Sequence, residues 1–465
     1  MLPRVKLAGG DPRQPSIVPP VSAEPAQLQP ILADFWKMAI ASEMLTRIPP
    51  TLSRILSRGR VRSVYQPIVD IASGAVVGYE GLSRGPARTP LESPLALFER
   101  ARLEGRLTDL DWACRAAALR GGLDTLSPPL SLFLNIEPAA SAQVPDQFKG
   151  LWRLAGESLK VIAEITERAL TDDPAALLRT VAGLRELGWG IALDDVGANP
   201  RSLAMLPFLH PDVIKLDLRL IQDRPSADIA QVVHAVLAEV ERSGTAILAE
   251  GIETQEHLLT ALAMGASLGQ GWLFGRPGPL PVTTSLAGPG LPISAGAKPP
   301  LEWPTPFDIM SQRRPVRRGS KAVLLMMSNH LERQAKAIGE APVVMSTFQE
   351  SGRFSTRLKK RYSLLAESSA LVVAFGRGIE STPAPDVRGT DLSPDDPLSD
   401  EWVVAVIGAH FAASFAARDL GDKWCPDLER RFDYCLSYDR SLVERVTSTL
   451  LAKTMAVPGD RVRDP

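Results

Sequence analysis

The sequence predicts an α/β protein: a barrel of parallel strands alternating with helices, followed by a second, smaller α/β domain. Three observations carry this. Between residues 53 and 285 short β-type runs alternate with helix-type runs, a spacing that favours a closed parallel barrel over an open sheet. Acidic or amide residues stand where those runs end, and in a parallel barrel such ends share one mouth. Past a break rich in Pro and Gly, a further set of strand and helix patterns is long enough for a domain of its own.

The elements follow in order. Residues 1–52 are rich in Pro and Ala and read as a flexible tail. Within it, the spacing of Leu32, Phe35, Trp36, Met38 and Leu45 predicts an amphipathic helix over 31–48, stopped by Pro49 and Pro50, with an apolar face to dock on the next domain. The barrel strands are SVYQPIVD, VVGYEGLS, SLFLNIEP, VIAEITE, GIALDDV, VIKLD, AILAEGI and SLGQGWLF, with PAALLRTVAGLRELG and DIAQVVHAVLAEVERSG as helices between them. Residues 286–306 are a Pro/Gly-rich linker that cannot continue a barrel helix. In residues 307–456 the strands are PVVMSTFQ, LVVAFGRGI and EWVVAVIG, and the expected helices are RYSLLAESS, HFAASFAARDLG and RSLVERVTSTLLAKTMA. A polar loop, STPAPDVRGTDLSPDDPLSDE, interrupts them, and residues 457–465 form a tail.

Composition narrows the function. The chain has 465 residues, 45% of them hydrophobic, and 52 basic against 53 acidic residues give a net charge of −1. No global field draws it to nucleic acid or to an anionic membrane. Cys114, Cys425 and Cys435 form no CxxC pair and no disulfide framework, which points to a reducing compartment. No apolar stretch of about 18 residues and no cleavable leader is present, so a cytoplasmic location is expected. The histidines at 210, 234, 257, 330 and 410 lack ligand spacing and read as surface or packing residues. The basic run Arg313, Arg314, Arg317, Arg318 and Lys321 reads as a solvated strand edge or linker rim rather than a site for an anionic partner. Met326 and Met327, in an apolar strand-like stretch, and Trp402 and Trp424 are expected to be packing residues.

The chemistry lies at the strand ends. In chain order these carry Glu80, Asn135, Glu164, Glu167, Asp194, Asp195, Lys215, Glu250, Glu253 and Gln270. Two like charges about 4 Å apart repel by roughly 4 kcal/mol at an effective dielectric near 20, so something positive must sit among these carboxylates. Carboxylates with an amide oxygen, and no thiol or histidine, suit a hard cation such as Mg²⁺, Mn²⁺ or Ca²⁺ rather than zinc. Adjacent carboxylates such as Asp194 and Asp195 can feed two ions, and ion pairs roughly 3.5–4 Å apart serve displacement at phosphorus. Lys215 could alternatively pair with Asp217 or Asp195, or form a Schiff base. Its acidic surroundings favour metal chemistry.

These residues also carry a resemblance. YQPIVD, the E-x-L-x-R run from Glu80 to Arg84, NIEP, EITE, LDDVG, IKLD, AEGIE and QGWLFGRP stand in an order similar to that of the EAL-domain family of cyclic di-GMP phosphodiesterases. The resemblance implies a TIM-like (β/α) barrel of the EAL type that hydrolyses cyclic di-GMP to linear pGpG with Mg²⁺ or Mn²⁺ and pairs as a homodimer through the barrel. Carried over, Glu80, Asn135, Glu164 and Asp194 would bind the first metal and Asp195 the second. Lys215 would hold or deprotonate the attacking water, Glu250 would belong to the same acidic shell, and Glu167 would steady the loop after Asp195. Arg84 would contact a substrate phosphate with Gln66 nearby, and Leu82, Glu253 and Gln270 would line the substrate site.

Two departures stand out. The chain has Glu80-Gly81-Leu82 where the family most often has EAL or EVL, and DDVGANPRSL where it usually has DDFGTGYSSL. The first keeps the metal-binding carboxylate. The second, with Pro200 and Arg201, leaves a receptor with impaired turnover open beside an active enzyme. No GGDEF-type run for nucleotide cyclisation occurs. The second domain, over about 314–456, resembles a DICT sensory domain through FQESGRFS, YSLLAESSALVVAFG, DEWVVAVIGAHFAASFAARDLG and RRFDYCLSYDRSLV. That pairing implies a C-terminal input that tunes the barrel, unless the linker merely tethers two independent units.

Overall fold

Eight strands close a barrel in chain order: β1 (Arg62–Asp70), β2 (Val76–Arg84), β3 (Ser131–Asn135), β4 (Lys160–Thr166), β5 (Gly190–Val196), β6 (Val213–Leu216), β7 (Ala246–Ala249) and β8 (Leu268–Gln270). The computed structural model describes residues 51–137, 144–167, 174–197, 200–281, 290–291, 293, 304–422 and 424–455. The expected helix at 31–48, and most of the expected linker, lie outside the described residues.

The strands are not all parallel. β2 to β8 run parallel to their neighbours, but β1 runs antiparallel to both β2 and β8. The reason lies in the link between β1 and β2. Asp70 accepts the Ser73 N–H at 2.8 Å and its hydroxyl at 2.6 Å, and Gly74, at φ +70°, returns its N–H to the Asp70 carbonyl. A connection this short makes a hairpin; a parallel crossover needs a dozen residues or more.

Inside the barrel, Ile68, Val77, Phe133, Ile162, Ala192, Val213, Leu248 and Leu268 form one buried apolar layer, with at least one residue from every strand. Outside it, helices cover the strands. Trp112, Trp152 and Trp189 stack in series there, with centroids 5.0 and 4.3 Å apart. The helix Leu107–Thr125 lies close against β1 and β2 because two positions lack side chains. A Cβ on Gly81 would stand 3.0 Å from the Ala118 Cβ, and one on Gly121 would stand 2.0 Å from the Tyr65 hydroxyl. Gly81 therefore serves close packing on the helix.

The second domain is a seven-stranded sheet in the order β12-β11-β10-β13-β14-β15-β9, made of β9 (Arg317–Ser320), β10 (Val343–Glu350), β11 (Leu371–Arg377), β12 (Arg388–Asp391), β13 (Glu401–Ile407), β14 (Ala412–Asp419) and β15 (Arg431–Ser437). One face packs under the helices Lys321–Ala337 and Thr356–Ala366. The other packs under the helices Pro306–Ser311 and Arg440–Met455, in a core continuous with the barrel's outer layer. Arg440–Met455 rests on the barrel helices Pro174–Glu186 and Leu206–Leu209, and Glu444 lies 3.9 Å from Arg242. From Leu52 onward the chain is one unit.

Four expectations fail in this domain. HFAASFAARDLG forms strand β14, not a helix: its alanines favour helix locally, but between β13 and β15 residues 412–417 are buried, and small side chains fit there. Met326 and Met327 lie on the helix Lys321–Ala337, whose buried Leu324, Ser328, Leu331 and Ala335 show the helical period a five-residue apolar run conceals. Met326 falls on the outward face at 65% exposure, so it is not core. Trp424 is fully exposed in the β14–β15 connection, whereas Trp402 packs on Phe415 and Phe432 as expected. The basic run edges the sheet through β9, with Arg318 on Asp433, Arg314 on Asp439 and Lys321 on Asp427. No helix among the described residues is long and apolar enough to cross a membrane.

Ala at a mid-helix Gly ordinarily gains up to about 1 kcal/mol. At Gly121 the added methyl meets the buried Tyr65 hydroxyl, which donates to the Ala118 carbonyl at 3.0 Å. Overpacking of this kind costs about 1–3 kcal/mol, so Gly121→Ala is expected to lower the thermal unfolding midpoint rather than raise it.

Candidate functional site

One step of strand period separates the barrel's apolar layer from its chemistry. Two residues past Phe133, Ile162, Ala192, Val213, Leu248 and Leu268 come Asn135, Glu164, Asp194, Lys215, Glu250 and Gln270. Side chains two apart point the same way, so these six face inward one layer above the apolar plug. β1 runs the other way, and there the corresponding residue lies two before Ile68, at Gln66. β2 contributes Glu80, paired in register with Gln66.

Lys215, 1% exposed, is the centre of this layer. Its Nζ lies 2.6 Å from Glu164 Oε1, 2.7 Å from Asp194 Oδ1, 2.7 Å from Glu250 Oε1 and 3.9 Å from Glu80 Oε1. Asn135 Nδ2 donates to both Glu80 Oε1 and Glu164 Oε2 at 3.0 Å. Gln270 Nε2 donates to Glu80 Oε2 at 2.6 Å and to Gln66 Oε1 at 3.2 Å, and Gln66 Nε2 donates to the Gly275 carbonyl at 3.1 Å. Asp195, exposed and at φ +58°, turns away from the strand line; oxygens of Asp194, Asp195 and Glu250 still lie within 4.8 Å of one another. Glu167 receives the Gly197 N–H at 3.4 Å and donates its own backbone N–H to the Asp194 carbonyl, bracing the start of the loop after Asp195.

Electrostatics follow from the crowding. Burial alone would push the Lys215 ammonium toward neutrality, but Asp194, Glu164, Glu250 and Glu80 outweigh it and hold the group well above the usual lysine range. Burial raises Glu164 well above the usual carboxylate range, Glu80 and Asp194 adding to it, and takes Glu250 up to about 8 against the pull of Lys215. Asp195, although its side chain reaches solvent, is raised by partial desolvation at the mouth and by Asp194. Glu80 moves the other way: burial opposes its ionisation, and Lys215 with the amides of Gln270 and Asn135 overcomes that. Lysine is the positive group among the carboxylates, with Glu164, Asp194, Glu250 and Glu80 as its partners rather than the alternative Asp217. Asp217 instead binds Arg219 at 2.9 Å.

One ammonium against five carboxylates leaves the layer negative. Oxygens from Glu80, Glu164, Asp194, Asp195 and Glu250, with the Asn135 amide at their edge, match the all-oxygen donor set of a hard divalent cation, and no sulfur or imidazole intrudes. The residues present therefore fit Mg²⁺ or Mn²⁺.

Not every expected residue joins the cluster. Arg84 is half-buried and donates to the Ser83 carbonyl at 2.8 Å, and Leu82 is half-buried opposite Val64. Glu253 is exposed, its N–H on His257 Nδ1 at 3.3 Å. Among the described residues none of the three contacts the carboxylates; they stand at the rim. Asp111 and Arg115, a buried ion pair beneath the loop after Asn135, were not singled out by sequence. Their signal, a D-x-x-x-R spacing inside an Ala-rich helix, was present but ordinary.

Known proteins resemble this chain over the same segments. It is 31% identical over 235 residues to the cyclic di-GMP phosphodiesterase RocR of Pseudomonas aeruginosa, covering 49% of this chain and 59% of that one. It is 31% identical over 224 residues to the cyclic di-GMP phosphodiesterase NbdA of the same organism, covering 46% and 29%. This chain thus spans less than two thirds of either relative. A solved structure of Klebsiella pneumoniae BlrP1 with calcium and cyclic di-GMP matches at 29% identity and a TM-score of 0.42, over 47% of this chain and 56% of that one. Residues 309–420 match the family described as a sensory domain in diguanylate cyclases and two-component systems, and residues 50–277 match the EAL domain. The chain carries an EAL domain, built as a closed eight-stranded barrel, and a DICT sensory domain behind it.

Proposed function

We propose that the chain is a divalent-metal phosphodiesterase that opens one ester of cyclic di-GMP to give linear pGpG, under the influence of its C-terminal sensory domain. The observation that carries this reading is the single inward layer in which Glu80, Asn135, Glu164, Asp194 and Glu250 surround Lys215, with Asp195 beside it. Glu80, Asn135, Glu164 and Asp194 would hold one cation, and Asp195 with its neighbours a second. Bound cations of this kind lower the pKa of water and offset charge on phosphoryl oxygens.

The chain's own groups do the rest. Lys215, held charged and aimed by three carboxylates, is a hydrogen-bond donor, which favours holding the attacking water in place over deprotonating it. Water adds at phosphorus, the P–O bond to one ribose 3′ oxygen breaks, and that oxygen takes up a proton. Gln270 and Gln66 fix the orientation of Glu80 through an unbroken amide chain. Glu167 holds the strand-end geometry of Asp194 and the turn at Gly197. Arg84, Leu82 and Glu253 stand at the rim, where a dinucleotide's phosphates and bases would pass. A second copy would pair through the barrel, as the family resemblance implies. The second reading, a receptor with weak turnover, draws on the DDVGANPRSL departure, in which Pro200–Met205 forms a 3₁₀ turn that begins five residues after Asp195.

Purified chain incubated with cyclic di-GMP and Mn²⁺ is expected to release pGpG. Glu80→Ala and Lys215→Ala are each expected to lower that rate by at least about a hundredfold. Binding of cyclic di-GMP without product would select the receptor. A chelator is expected to abolish turnover and added Mn²⁺ to restore it. Arg84→Ala is expected to raise KM about tenfold while kcat changes little, since Arg84 touches none of the carboxylates and would act on substrate in both ground and transition states.

A further inference from the structure

The helix Leu107–Thr125 carries an ion pair that the proposed chemistry does not use. Asp111 and Arg115, one turn apart, are 3% and 4% exposed and face each other directly. A buried pair of this kind is often no better for stability than apolar residues of similar volume, and the surrounding helix is already rich in alanine. What the pair does is specific. Asp111 Oδ1 accepts the backbone N–H of Glu137 at 3.3 Å, and Arg115 Nη2 donates to the carbonyl of the same residue at 3.3 Å. Both polar backbone groups of one loop residue are thus held by one ion pair.

Glu137 is two residues past Asn135, at the exit of β3. Between them Ile136 is buried and gives its N–H to the Glu164 carbonyl at 2.9 Å. The helix end of the clamp is rigid too: the Arg115 guanidinium lies 4.5 Å over the Trp112 ring, and Trp112 packs on Trp152 and Phe148. Close packing at Gly81 and Gly121 sets the helix against the strands that carry Glu80 and Gln66.

We infer that Asp111 and Arg115 are positioning residues for the metal site: by clamping Glu137 they fix the exit of β3, and with it the Asn135 amide that bridges Glu80 and Glu164. The inference rests on the metal reading of that site and assigns the pair a task there. Burial drives the Asp111 carboxyl up to about 6 even with Arg115 opposing, so the pair sits in a nonpolar setting where loss of one partner is felt by the other.

The test replaces both charges at once, because the double variant Asp111→Leu/Arg115→Met leaves no stranded charge and is expected to fold. Mn²⁺ binding to the full chain is followed by electron paramagnetic resonance of free Mn²⁺, with thermal unfolding measured alongside. The expected result is a folded variant whose Mn²⁺ affinity falls about 10- to 100-fold, the range seen when groups behind metal ligands are removed. In turnover the same variant is expected to need correspondingly more Mn²⁺, with the KM for cyclic di-GMP within about twofold of the parent. The single variant Arg115→Lys, which keeps the charge but not the planar fork, is expected to fall between the two. A folded double variant with parental Mn²⁺ affinity overturns the inference and leaves the metal reading intact. A parent chain that takes up no Mn²⁺ overturns both.

Discussion

The barrel mouth is organised by a charge imbalance. One buried ammonium, Lys215, stands within 2.7 Å of three carboxylates, and two further acids lie close by. Such a group of acids is made tolerable by Lys215, which meets Glu164, Asp194 and Glu250, and by the Asn135 and Gln270 amides, which donate to Glu80 and Glu164. Every other feature of the site can be traced to that requirement. Around the ring Asn135 stands between Glu80 and Glu164, Lys215 between Asp194 and Glu250, and the Gln270–Gln66 pair closes it beside Glu80. The apolar layer two residues below closes the barrel floor against water. The excess of negative charge is what suits the ring to divalent cations.

Much of this was legible in the sequence, and the reason is periodicity. A parallel barrel converts strand order into ring order, so a polar residue at the same step of successive β-type runs becomes a neighbour of the next. Glu80, Asn135, Glu164, Asp194, Lys215, Glu250 and Gln270 could be named on that basis. Identity of the positive centre could not, because the charge argument asked for a cation without saying that Lys215 would supply the first of them. The reversal of β1 was hidden as well: its run reads like the others, and only the short Asp70–Gly74 turn reveals its direction. Support from the covering helix escaped altogether. Asp111 and Arg115 reach the site through the backbone of Glu137, and no side-chain pattern records a backbone partner.

The second domain was less legible for a related reason. Its interior strand β14 is Ala-rich, and small residues suit either a helix or the crowded interior of a sheet; the neighbours β13 and β15 decide. The helix Lys321–Ala337 begins with a run too apolar to show its period. What no local pattern could give is the joint between the domains. Helix Arg440–Met455 buries Leu442, Val443, Val446, Leu450 and Leu451 in the core that also holds Leu203 to Leu206 and Leu209, a few residues downstream of Asp194 and Asp195. The second domain is thus packed, through this helix, on the segment downstream of the acidic pair.

The central claim is that acids from separate strands form one cation site. Crystals grown with Mn²⁺ and measured for anomalous scattering test it most directly. The account predicts a strong peak bounded by Glu80, Asn135, Glu164 and Asp194, with a second beside Asp195. Anomalous density absent from the barrel mouth, with Lys215 still fully surrounded by its carboxylates at saturating Mn²⁺, would contradict it.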